Sequence, residues 1–232
     1  MEKVNKYNPE QYLRLVEQLH DAVLEQYMKD EVLFINNALQ RNNYDVIDLG
    51  AGYGRIISRI IKRAKSVTAI ELNEDMFSSL VICQKNVDNV SCLKNDITKL
   101  SEYLDISKFN NTLFLLCQNT LGVIEGDYEE MLKEIKELAK TSNVEIIFSV
   151  FNKEVLKNYG LSLYEKLREM VGDVDLEKTN YEAGEFVSET GYNTKWWSKS
   201  EIYEFKDILN ATLIDELTAK EYSLYHFQIL PE

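Results

Sequence analysis

The sequence predicts an α/β fold: a mostly parallel sheet of seven strands, covered by helices on both faces and finished by an antiparallel hairpin. Three observations lead there. Short apolar β-forming segments alternate with helix-length segments between Tyr44 and Phe151. Two further β-rich segments at the C-terminal end are separated by a link too short for a crossover. The only prolines are Pro9 and Pro231, so no Pro-rich linker divides the chain. Strands alternating with helices imply right-handed crossovers and parallel pairing.

The elements follow in order. Asn8 reads as an N-cap with Pro9 at the first helical position. Tyr12, Leu15, Val16, Leu19, Val23 and Tyr27 then recur at helical spacing, so residues 1–43 read as a helical cap over the sheet. Strands are predicted at Tyr44–Leu49, Val67–Leu72, Val90–Leu93, Leu113–Gln118 and Val144–Phe151, with helices at Arg55–Ala64, Asn73–Asn86 and Asp127–Lys140. Asp127 and Glu130 have capping-box spacing. A helix over Lys153–Met170 comes next. An aromatic stretch with turn-forming Gly191 and Asn193 then reads as a β-hairpin. Ser198 and Glu201 form a second capping box, opening a helix to about Leu209. Thr212–Leu217 and Tyr222–Leu230, joined by Thr218–Glu221, can pair only antiparallel. Residues 44–232 are thus one domain, with an insertion at about 152–200.

Composition narrows the function. Lys and Arg total 26 against 39 Asp and Glu, a net charge of −13. That average field repels a polyanion, and nucleic-acid binding draws on Lys and Arg at phosphates. The basic run Lys62, Arg63, Lys65 reads as a solvated helix end. The expected partner is therefore a small molecule and not nucleic acid. No apolar run is long enough for a membrane span and the N-terminus lacks a signal-peptide core, which predicts a cytoplasmic protein without a membrane partner. Cys83, Cys92 and Cys117 form no CxxC pair, so free thiols are expected and no metal site.

The chemistry is concentrated at predicted strand ends. Val46-Ile47-Asp48-Leu49-Gly50-Ala51-Gly52-Tyr53-Gly54-Arg55 is a strand, an acid and a three-glycine turn leading into a helix. Glycines let the backbone approach a ligand, and a helix start offers free N–H groups. The spacing is GxGxG, where a dinucleotide turn reads GxGxxG. Glu71 ends the second strand, seventeen residues after Gly54. Asn95-Asp96-Ile97 follows the third strand, and Cys117-Gln118-Asn119-Thr120-Leu121-Gly122 closes the fourth.

These four motifs, in this order over residues 44–151, resemble the class I (Rossmann-like) S-adenosylmethionine-dependent methyltransferases of the small-molecule type. The resemblance implies the cofactor S-adenosylmethionine, with S-adenosylhomocysteine as product. It implies a cofactor site of Asp48, Gly50, Ala51, Gly52, Gly54, Arg55, Glu71, Leu72, Asp96, Ile97, Gln118 and Asn119. Glu71 would bind the ribose hydroxyls, Leu72 the adenine face, Asp96 the adenine amino group with Ile97 beside the ring, and Gln118 and Asn119 the methionyl part or the acceptor. The amino-methyltransferases of DNA and many RNA enzymes place a Pro-Pro pair at this last corner, which this chain lacks.

The expected acceptor is an N or O atom of a small molecule, enclosed by the cap and the insertion. Tyr12 and Tyr27 of the cap and Trp196 and Trp197 of the insertion are its candidate contacts, the two tryptophans within an aromatic cluster that also holds Tyr181, Phe186 and Tyr192. His20 reads as an edge-of-core residue and His226 as a structural one. No catalytic residue is assigned, because methyl transfer to an unprotonated amine needs little beyond alignment. The alternatives are an RNA or protein methyltransferase, a non-catalytic protein that binds the cofactor, and a nicotinamide oxidoreductase, which the glycine spacing disfavours.

Overall fold

The computed structural model describes residues 19–124 and 128–230. Asn8, Pro9, Tyr12 and Asp127 lie outside the described residues.

The chain opens with helix α1 (Ala22–Ala38). Asp21 caps it by accepting from the backbone N–H groups of Val23 and Leu24 at 3.1 and 3.0 Å. His20 precedes that cap, and its side chain is 91% exposed; the edge-of-core expectation is corrected because the helix begins after this residue. Strand β1 (Asp45–Leu49) is followed by a glycine turn and a single regular α-helical turn, α2 (Ile57–Ile60). Strand β2 (Ser66–Ile70), helix α3 (Glu74–Gln84), strand β3 (Val90–Leu93) and strand β4 (Asn111–Leu116) come next. A short helix α4 (Thr120–Val123), helix α5 (Tyr128–Leu138) and strand β5 (Asn143–Phe151) complete the alternating half.

The sheet order is β3-β2-β1-β4-β5-β9-β8, where β8 spans Ala211–Thr218 and β9 spans Tyr222–Ile229. Strands β1 to β5 pair in parallel, while β9 runs antiparallel to both β5 and β8. The predicted seven-stranded Rossmann-like architecture is therefore present. Its central strands β1, β4, β5 and β9 are buried on both faces, while the edge strands β3 and β8 are partly exposed. Alternation along each strand separates two cores. Val46, Leu113, Leu115 and Ile147 face α1, whereas Ile47, Phe114, Leu116 and Ile146 face α5 and the helix α8 (Lys199–Leu209). His226 is buried in β9, its Nε2 2.6 Å from Glu145 Oε2 on β5.

The insertion departs from expectation in one respect. Lys153–Met170 is not one helix: a 3-10 turn and a π turn (Leu156–Gly160) precede α6 (Leu161–Lys166) and α7 (Arg168–Val171). The backbone leaves helical geometry at Val155 (φ −109°, ψ 4°) and Leu167 (φ −97°, ψ 7°), and between them Gly160 packs on the Trp196 ring, where a Cβ would lie 3.1 Å away. The hairpin is present as β6 (Glu185–Val187) paired with β7 (Asn193–Lys195), with Gly191 at φ +89°. Ser198 and Glu201 form the capping box that opens α8. No described helix is long and apolar enough to cross a membrane.

Candidate functional site

Strand order reverses between β1 and β4, and open α/β sheets bind ligands in the crevice outside such a switch point. A cavity of about 580 Å³ lies there. Its sheet-end wall is made by Gly50, Gly52, Glu71, Leu72, Asp96, Ile97, Gln118 and Asn119, so eight of the twelve residues expected at a cofactor site line one space.

The glycine turn is tied to its neighbour strand: the N–H groups of Gly50 and Ala51 both donate to Ile70 O, at 2.9 and 3.0 Å. Gly50 has φ +70°, and a Cβ on it would lie 2.6 Å from Thr120 Cγ2. The position therefore needs glycine twice, for conformation and for space. Gly52 N–H donates to Glu71 Oε2 at 2.8 Å, and Asn73 N–H donates to Glu71 Oε1 at 2.8 Å. Glu71 thus spans the turn after β1 and the start of α3. Burial pushes its carboxyl above the usual range, against the pull of these backbone donors. Asp96 caps the following 3-10 turn, its Oδ1 accepting from Thr98 N–H and Oγ1 at 2.9 and 2.8 Å. Leu72 is 56% exposed in the cavity, an apolar side chain left open where a ligand can cover it.

The other four expected residues sit behind the wall. Gly54 packs the turn onto α3, where a Cβ would meet Gln84 and Leu80. Arg55 forms an ion pair with Glu31 of α1. Asp48 is buried, and its carboxyl is pushed up to about 7 by that burial; Arg55 opposes the shift, while Glu31 and Glu71 add to it.

Beyond the sheet end the cavity turns apolar. Leu24 of α1, Phe151, and Leu163, Tyr164, Leu167, Met170 and Val171 of the insertion line it, with Tyr192 and Thr194 from the hairpin. The expected contacts Tyr27, Trp196 and Trp197 do not. Tyr27 is fully buried and stacks on Tyr222 at 4.6 Å. Trp196 stacks on Phe151 at 4.5 Å and donates its Nε1–H to Tyr164 OH at 2.7 Å, on the α1 side of the sheet. Trp197 packs edge-on against Phe205 in the opposite core. Neighbouring residues of an extended segment point to opposite faces, so the two indoles divide between the cores and neither reaches the cavity. Of the aromatic cluster, Tyr192 alone lines it.

Sequence reasoning also missed Tyr164, whose hydroxyl and ring are organised by Trp196 and by Phe186 stacked 4.0 Å away. It missed Glu31 as well, although an acid at the helical spacing of Leu24, Tyr27, Phe34 and Ile35 is a visible anomaly on an apolar stripe.

A model of the family described as ribosomal RNA adenine dimethylase matches residues 11–158. The chain belongs to the ribosomal RNA adenine dimethylase family. That description is of a methyltransferase, and solved structures that share the fold hold S-adenosylhomocysteine or S-adenosylmethionine. The chain is similar to the ribosomal RNA small subunit methyltransferase A of Clostridium acetobutylicum, 31% identical over 78 residues. That match covers 34% of this chain and 25% of the relative, so it spans a quarter of the curated protein's length. Solved structures share the fold. The PH0226 protein of Pyrococcus horikoshii OT3 has a TM-score of 0.66 at 15% identity, covering 95% of this chain and 99% of that one. An S-adenosylmethionine-dependent methyltransferase of Clostridium acetobutylicum has a TM-score of 0.63 at 14% identity, covering 95% and 96%. Magnesium protoporphyrin IX methyltransferase of Synechocystis PCC 6803, with bound S-adenosylhomocysteine, has 0.60 at 14%, covering 94% and 93%.

Membership of this dimethylase family corrects one expectation. The charge of −13 predicted no nucleic-acid partner, whereas the family and its curated relative are RNA methyltransferases. Net charge averages over a whole surface and constrains a local acceptor site weakly.

Proposed function

We propose that the chain methylates a nitrogen of an RNA base, with adenine as the acceptor its family favours. The observation that carries this reading is the family match over residues 11–158, most of the sheet-end wall included. The cavity supports it: a polar end walled by acids runs on into an apolar shelf of Leu163, Leu167 and Met170 with Tyr164 and Tyr192, suited to a planar ring.

In this reading Glu71 holds the ribose, Asp96, Leu72 and Ile97 hold the adenine, and the glycine turn with Gln118 holds the methionyl end. Asp48 and Arg55 act on it from behind the wall. When bound, the cofactor supplies a methyl group already activated by its sulfonium. The chain's part is alignment, in an apolar setting that excludes water from the acceptor nitrogen. Both amide hydrogens of Asn119 are committed, to Thr194 Oγ1 at 3.1 Å and Lys195 O at 3.0 Å. Gln118 lines the cavity beside Asn119 and belongs to the methionyl end in this reading. This corner contains no proline, so the base is held by the insertion's side chains in place of a rigid Pro-Pro edge.

The test uses methyl-labelled S-adenosylmethionine with unmodified small-subunit ribosomal RNA, digested to nucleosides after reaction. Label in methylated adenosine is expected. Because the surface is acidic, activity should depend on salt only shallowly. RNA that stays unlabelled while a cell extract's low-molecular-mass fraction gains label refutes the reading.

A further inference from the structure

Glu31 is fully buried on α1, an element outside the sheet that builds the cofactor wall. Its Oε2 pairs with the Arg55 guanidinium, next to the glycine turn. Its Oε1 accepts from the backbone N–H of Gln118 at 2.6 Å and lies 2.5 Å from Ser149 Oγ on β5. Ser149 Oγ is also 2.6 Å from Tyr27 OH. One hydroxyl proton cannot serve both, and an ion-paired carboxylate only accepts, so Ser149 donates to Glu31 and Tyr27 donates to Ser149.

One carboxylate therefore ties the turn after β1, the corner after β4 and strand β5 to α1. The corner needs such a hold. Gln118 and Asn119 are consecutive non-glycine residues at φ +50° and +60°, a left-handed pair that persists only where its surroundings over-determine it. Asn119 is fixed by its side chain through Thr194, Lys195 and the Phe151 N–H. Gln118 has its backbone N–H held by Glu31.

We propose that Glu31 is the positioning residue for the methionyl end of the cofactor site. It sets the Gln118 corner and the Arg55 side of the glycine turn at one fixed separation. The inference rests on the cofactor placement given under Proposed function and is independent of the acceptor's identity. Along the strand ends the order is Asp96 after β3, Glu71 after β2, the glycines after β1 and Gln118 after β4. The Glu31 hydrogen bonds and ion pair reach only the last two stations. The adenosine stations keep their own hydrogen bonds to Asn73, Gly52 and Thr98. Loss of the Glu31 charge should therefore damage one end of the site and spare the other, whereas a carboxylate that merely glued α1 to the sheet would affect both ends alike.

The experiment is calorimetric titration of the full chain and its E31Q variant with two ligands: S-adenosylhomocysteine, which carries the amino-acid moiety, and 5′-methylthioadenosine, which does not. Expected is a loss of at least about tenfold in affinity for S-adenosylhomocysteine, with 5′-methylthioadenosine unchanged within about twofold. S149A, which removes one donor and no charge, is expected to show the same selectivity at about threefold or more. Equal losses for both ligands, or none for either, overturn the proposal. If E31Q fails to fold, S149A decides: S-adenosylhomocysteine affinity within twofold of wild type overturns it. A wild-type chain that binds neither ligand refutes the cofactor placement itself, and the proposal falls with it.

Discussion

Replacing Glu71 with alanine separates the brace this carboxylate forms from the ribose contact proposed for it. Its two oxygens accept from Gly52 and Asn73 N–H, both at 2.8 Å, and Glu71 is half-buried. Removing it leaves two partly solvated donors without their partner. Unmet donors cost about 1–3 kcal/mol each when fully buried, so about 1–3 kcal/mol in total is expected here, where water reaches them. For a domain of this size that lowers Tm by roughly 2–4 °C per kcal/mol, so by roughly 2–12 °C. The binding loss comes on top. Hydrogen bonds from ribose hydroxyls to a charged acceptor contribute about 1.5–3 kcal/mol each, so one lost bond weakens binding at least about tenfold and two weaken it by about a hundredfold or more. Glu71→Gln should fall between, because its amide oxygen can still serve one of the two N–H groups while its NH₂ faces the other. Calorimetry with S-adenosylhomocysteine measures the second effect. Differential scanning measures the first. A Glu71→Ala protein that melts within the forecast range and binds within twofold of wild type would refute the reasoning, leaving Glu71 as a brace of the turn and nothing more.

Three other outcomes are expected. Asp48, pushed up to about 7 by burial, is protonated below neutrality, and a cationic amino-acid ligand favours its ionised form. S-adenosylhomocysteine affinity should therefore rise from pH 5.5 to 8, by at most about tenfold per unit, and Asp48→Asn should flatten that rise; a flat wild-type profile refutes it. On this group's account, stability is present below the unfolded carboxyl range near pH 4 and is lost as pH climbs towards 7. Gly50→Ala should destabilise through its positive φ and through the Thr120 methyl 2.6 Å from the new Cβ, and adding Thr120→Ser, which removes that methyl, should restore part of the lost Tm. No recovery would mean that strain and not space governs the position. Trp196→Ala should cost about 3–5 kcal/mol of stability, measured by urea unfolding, as large aromatic deletions from a core do. A midpoint near wild type would remove the ring from the core.

The sheet was legible because its central strands are short apolar runs buried on both faces, a pattern that survives errors of a residue or two at each end. Eight of the twelve expected cofactor residues share one cavity because strand ends at a switch point converge whatever the loops between them do. The failures have a different origin. Lys153–Met170 reads as one helix locally, and the residues where it departs from helical geometry, Val155 and Leu167, are not breaker types that would announce it. The tryptophans were read by residue type, although their adjacency in an extended segment already set them on opposite faces. Glu31 was readable from its spacing, but its partners Ser149 and Gln118 were not, since they come from strands that only the fold brings together. The acidic composition misdirected the partner assignment because a sum over the surface carries no positional information.

The two indoles that divide between opposite cores have a consequence for how this enzyme can change. Trp196 and Trp197 rivet the end of the inserted hairpin through the rim of the sheet, one into each side. A segment fastened that way cannot be exchanged as a module without vacating both cores at once. New acceptor preferences are therefore reached by changing single side chains on the shelf, such as Leu163, Leu167 or Met170, around a hairpin backbone that stays in place.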